Sequence, residues 1–108
     1  MIPRSLVELE AEFAVNVADG RIGRSDSLSD ADGVMFLCPK CFSANNGAVG
    51  THRVVCWFRG RVANDVKPGP GRWAPSGSNM SDLSLSPSVQ LTGGGCDWHG
   101  FVTNGSAK

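Results

Sequence analysis

The sequence carries no net charge, because ten lysines and arginines balance ten aspartates and glutamates. No global field therefore draws the chain to nucleic acid or to an anionic lipid surface. Long apolar runs are missing too, and no stretch approaches the roughly 20 residues that a helix needs to cross a bilayer. The opening MIPRSLVELEAEF is acidic and has no apolar core of a signal peptide. Together these features predict a cytoplasmic protein with no membrane association. There are two histidines, and all three glutamates (Glu8, Glu10, Glu12) fall in the first dozen residues. The catalytic zinc signatures His-Glu-x-x-His and His-x-Glu with Pro-Cys-x-x-Cys do not occur.

What remains is a chain of 108 residues, enough for one domain, of which 41% are hydrophobic. Fourteen glycines and six prolines commit much of the backbone to turns and loops. A domain of this size leaves a large share of its surface wet, so a staple of some kind is expected. In a reducing compartment the four cysteines point to metal rather than to disulfides.

Along the chain, Ser5 and Glu8 have the spacing of a capping box, and from Glu12 the alternation of Phe13, Val15 and Val17 turns strand-like. A short helix and an edge strand both fit residues 5–17, with a strand after a frayed start favoured. Asp19-Gly20 is a turn signal, and the polar residues 20–32 predict a mobile loop. Residues 32–38 (DGVMFLC) predict a buried strand, 43–50 a turn, and the β-branched and aromatic 51–58 (THRVVCWF) a strand. Pro68, Pro70 and Pro75 predict a loop without regular structure over 64–79, which either displays Trp73 or folds it back as a lid over the core. Residues 82–91 predict two strand pieces around Pro87 or a bulged edge strand. The triple glycine 93–95 predicts a turn, and 98–102 a last strand before an Asn104-Gly105 turn.

Two chelating pairs stand out, Cys38-Pro-Lys-Cys41 and Cys96-Asp-Trp-His99. Ligands three residues apart can curl round one ion in a tight turn, and two such turns complete a tetrahedron. Cys38, Cys41, Cys96 and His99 are therefore the expected Zn²⁺ ligands. Pro39 sets the φ of the knuckle, and the N–H groups of Lys40 and Cys41 can donate to the Cys38 thiolate. The competing account makes the cysteines buried apolar residues. His52 and Cys56 form a third pair, and either is an alternative ligand. Cys56 lies inside an apolar strand, where a cysteine is more often core.

The segments FLCPKC, LSPSVQL and GCDWHGFVTNG resemble a domain-of-unknown-function family of small zinc-site proteins from bacteria and tailed phages. The matching positions are Cys38, Pro39 and Cys41; Ser86, Pro87, Ser88 and Val89; Gly95, Cys96 and His99; and Asn104 with Gly105. The likeness spans residues 32–106 and is strongest to the short phage and prophage version. It implies a zinc-binding, β-rich fold and little about activity. Phage copies often carry the label ammonia monooxygenase, which this chain contradicts, since a membrane copper enzyme needs spanning helices and several histidines. The expected fold is thus mostly β. It is a small, zinc-stapled antiparallel domain over 1–108, with zinc-ribbon-like knuckles, an N-terminal strand and loop (1–31) and the family-like core (32–106).

Three function classes follow. The first is a protein-binding accessory or host-interference factor, phage- or prophage-encoded, which uses Trp73 with Arg59, Arg61 and Arg72 as its interface. The second is a single-stranded nucleic-acid module, because Arg53, Arg59, Arg61, Lys67 and Arg72 interleave with Trp57, Phe58 and Trp73. The third, a zinc hydrolase, is disfavoured, because three thiolates make zinc a poor Lewis acid and Asp97 is the one carboxylate between ligands. A protein partner is expected, and binding rather than catalysis.

Overall fold

A computed structural model describes residues 3–18, 21–68, 71–91 and 96–108. The turn expected at Asp19-Gly20, the middle of the Pro/Gly loop and the triple glycine 93–95 lie outside the described residues.

The centre is an antiparallel sheet of four strands, β2 (Glu12–Ala18), β3 (Arg21–Ser25), β4 (Gly33–Leu37) and β5 (Arg53–Trp57), in the order β3-β2-β4-β5. Its register aligns Phe13, Val34 and Cys56 in one row and Phe36 with Val54 in the next. Residues two apart on a strand share a face, and all five side chains are buried in one apolar cluster. On the other face Trp57 lies across from Gly33, where a Cβ would meet the indole at 2.8 Å. The indole N–H of Trp57 donates to the Lys67 carbonyl at 2.9 Å, which pins the following loop to the sheet.

Short antiparallel pairs complete the fold. They are β1 (Arg4–Ser5) with β11 (Ser106–Ala107) and β10 (Val102–Thr103), β6 (Ala74–Ser76) with β7 (Ser84–Ser86), and β8 (Val89–Leu91) with β9 (Trp98–Gly100). Leu83, Leu85, Val89, Trp98 and Val102 bring these pieces into the same core, joined by Leu6 and Leu9. Phe36 and Trp98 meet edge to face, with ring centroids 6.1 Å apart, an arrangement the ring quadrupoles favour. Asn104 and Gly105 both take positive φ, 49° and 79°. That is the backbone of a type I′ turn, the tight connection that suits strand twist, and it joins β10 to β11.

The mostly-β expectation holds, and so do the strands at Glu12, at 32–38 and 51–58, and on either side of Pro87. The Ser5 hydroxyl accepts from the Glu8 N–H at 3.0 Å. Glu8 itself pairs with Arg4 instead of closing the box.

Four expectations are corrected. Residues 21–25 are a strand, not part of a mobile loop. Their polar side chains gave no apolar signal, but pairing with β2 satisfies the backbone, and Arg24 meets Glu12 at 2.7 Å. Instead of a turn from residue 43, a helix, α1, spans Pro39–Asn45. Proline at its first position has the φ a helix requires, and Asn46 ends it in the left-handed conformation at φ 56°. The loop predicted over 64–79 contains β6. The run 98–102 is broken at Phe101, whose side chain faces solvent.

Trp73, expected either displayed on the loop or folded back over the core, takes the second course. It is not displayed but only 6% exposed. Its backbone bridges Phe58 in parallel, its N–H donates to the Trp57 carbonyl at 3.1 Å, and its indole N–H donates to the Ser88 carbonyl at 3.2 Å. Two of its presumed interface partners are also used internally. Arg61 donates to the Ala31 carbonyl and lies over the Phe58 ring. Arg72 donates to the carbonyls of Ala63, Val66 and Pro68, lacing the loop together. Arg59 is exposed.

Candidate metal centre

Cys38 follows the last residue of β4 and precedes the first residue of α1, so the chain turns from strand to helix at its Cα. Cys41 lies one helical turn on, which returns its sulfur toward Cys38. The β4–β5 register pairs Leu37 with Arg53, and one step further Cys38 donates its N–H to the His52 carbonyl at 2.9 Å. His52 is therefore the direct cross-strand neighbour of Cys38. The loop between α1 and β5 is closed by its own hydrogen bonds. Asn45 Nδ2 donates to Thr51 Oγ1 at 3.1 Å, and Thr51 Oγ1 to the Gly47 carbonyl at 2.7 Å. Cys96 arrives from far along the chain, just ahead of β9.

Donor atoms of Cys38, Cys41, His52 and Cys96 all lie within 4.8 Å of one another. The Cys96 sulfur stands 3.8 Å from that of Cys38 and 3.4 Å from that of Cys41. A tetrahedral ion with metal–sulfur bonds of about 2.3 Å would space its sulfurs about 3.8 Å apart. Cys38 is buried, Cys41 and Cys96 are half-buried, and His52 is exposed.

On their own, the clustered sulfurs favour the protonated thiol form. Burial pushes the Cys38 thiol up, while hydrogen bonds from the Cys41 and Lys40 N–H groups pull it down, as the knuckle predicted. The neighbouring Cys96 sulfur, with a lesser contribution from burial, pushes Cys41 up to about 12. Three sulfurs this close resist ionising together, since each added negative charge raises the next pKa. A divalent ion among them removes that penalty and holds all three as thiolates. Lys40 sits at the rim, its ammonium donating to the Asp97 carbonyl at 2.8 Å. It ties the residue before Cys41 to the residue after Cys96.

Three of the four expected ligands converge, and the fourth does not. His99 lies in β9 opposite Gln90, exposed, with Nε2 3.0 Å from Ser88 Oγ. The Cys96-x-x-His99 spacing chelates only in a turn. Because Trp98–Gly100 is extended, three residues carry the chain on by about 10 Å, and His99 is drawn away from the cluster. His52, the alternative ligand, takes its place. Cys56 is core, fully buried, and burial alone pushes its thiol up to about 12. The signal that identifies His52 is hairpin register: a knuckle cysteine at a strand's end meets the first residues of the returning strand.

The three acidic side chains near the N-terminus are engaged elsewhere, Glu8 with Arg4, Glu10 with Arg53 and Glu12 with Arg24. Among the described residues no helix is long and apolar enough to cross a membrane. In comparisons with known proteins, no family model, no curated protein and no solved structure matches the chain.

Proposed function

We propose that this chain is a structural-zinc protein that works by binding, its zinc held by Cys38, Cys41, His52 and Cys96. The observation that carries the proposal is the convergence of three sulfurs and one imidazole from β4, α1, the start of β5 and the approach to β9. Thiolates with imidazole suit zinc, and four protein donors complete its tetrahedral shell, leaving no position for a reactive water. Three thiolates also donate charge to the ion and weaken it as a Lewis acid. The paired state of the glutamates supports the same reading, since none is held at the cluster as a base.

The role we propose is that of an accessory factor with a protein partner, since a closed four-ligand site suits a stabilised binding scaffold better than a catalyst. The internal use of Trp73, Arg61 and Arg72 counts against both the loop interface and the nucleic-acid reading. Cobalt substitution separates binding from hydrolysis. A closed four-ligand site is expected to give a tetrahedral, thiolate-rich spectrum that does not change with pH around neutrality. A metal-bound water would titrate near pH 7, and a spectral transition there would replace the structural reading with a catalytic one.

A further inference from the structure

We propose that Cys41 and Cys96 are a redox-labile pair, which a peroxide joins into a disulfide with release of the metal. This inference rests on the metal-binding reading given above. Their sulfurs stand 3.4 Å apart, closer than those of Cys38 and Cys96 at 3.8 Å. Both are half-buried, so an oxidant the size of hydrogen peroxide reaches them, whereas Cys38 and Cys56 are fully buried. Cys96 is the shared neighbour, touching both other sulfurs, but Cys38 is shielded and keeps the N–H donors of Lys40 and Cys41. The Lys40 ammonium donates to the Asp97 carbonyl and so ties the segment before Cys41 to the one after Cys96.

The chemistry balances in two steps. One thiolate of the pair attacks a peroxide oxygen, the O–O bond breaks, and the departing hydroxide takes a proton to become water. This leaves a sulfenic acid. The second thiolate attacks that sulfur, the S–S bond forms as the S–O bond breaks, and the hydroxide leaves as a second water. Two electrons pass from the two sulfurs to one peroxide. Cys38 and His52 remain as two donors, too few to keep a structural zinc. The clip between α1 and the approach to β9 then becomes covalent, while the His52 imidazole is released from it. Oxidation thus exchanges a four-way metal link for a two-way disulfide.

Tryptic mapping tests this directly, because cleavage after Arg24, Lys40, Arg53, Arg59 and Arg72 places the four cysteines on four different peptides. Metal-loaded full-length protein is treated with hydrogen peroxide, and metal release is followed with a chromophoric chelator. Free thiols are then blocked, and the digest is read by mass spectrometry without reduction. The expected result is one equivalent of metal lost per disulfide, with the peptide beginning at Cys41 linked to the one spanning residues 73–108. A dominant Cys38–Cys41 link, any link to Cys56, or metal retained under excess peroxide would overturn the proposal while leaving the metal site intact. A protein that takes up no zinc before oxidation would overturn both.

Discussion

Stripping the metal with a strong chelator is expected to abolish the cooperative thermal transition of this protein and leave a largely unfolded chain. The reason lies in how the fold is distributed. Beyond the four-stranded sheet, every strand is two or three residues long, and two-stranded pieces of that size are marginal in water. The β8–β9 pair touches the sheet through Val89 and Trp98, and Cys96 is the point where the proposed ion would fasten its second strand to β4 and α1. Structural zinc contributes on the order of 10 kcal/mol in small peptides, which equals the whole stability of a typical domain. Loss of the ion also leaves three clustered thiols that repel one another's ionised forms. Calorimetry with and without chelator checks this. A metal-free sample with an unchanged transition would contradict it.

Trp73→Ala is expected to lower the stability of the metal-loaded protein by about 3–5 kcal/mol, the usual cost of removing a buried large aromatic. The ring is nearly inaccessible, and its N–H is satisfied by the Ser88 carbonyl. Gly71 lies close against it, at a position where a Cβ would meet the ring at 2.6 Å. Truncation would therefore open a cavity between the loop that follows β5 and the strand pair β6–β7. Urea unfolding reads the effect as a lower midpoint with a similar slope. A change below about 1 kcal/mol would return Trp73 to the surface role that the sequence suggested.

Much of the architecture was legible where side-chain chemistry and backbone conformation agree. The runs at 32–38 and 51–58 are apolar, β-branched and aromatic, and they form the two strands at the heart of the sheet. Asn104-Gly105 is among the dipeptides that take a type I′ turn most readily. Where the signal is relational, the sequence was silent. β3 is polar and becomes a strand only because β2 supplies its hydrogen bonds and Glu12 faces Arg24. α1 is short, contains few strong helix formers, and follows from Pro39 and the left-handed Asn46 rather than from periodicity.

The metal centre shows the same division. Cys38, Cys41 and Cys96 were evident from number and spacing. His99 stands apart from the cluster because spacing along the chain says nothing of conformation: the same three-residue separation closes in a helical turn at Cys38–Cys41 and opens in a strand at Cys96–His99. His52 joins the cluster through the register of β4 against β5, a property of two segments together.

Elemental analysis of metal content in wild type, His52→Ala and His99→Ala puts the cluster to the plainest test. Wild type and His99→Ala should each hold one zinc per chain, while His52→Ala should lose it or hold it far more weakly. Zinc retained in His52→Ala and lost from His99→Ala would place the fourth ligand in β9 and contradict the arrangement described for this fold.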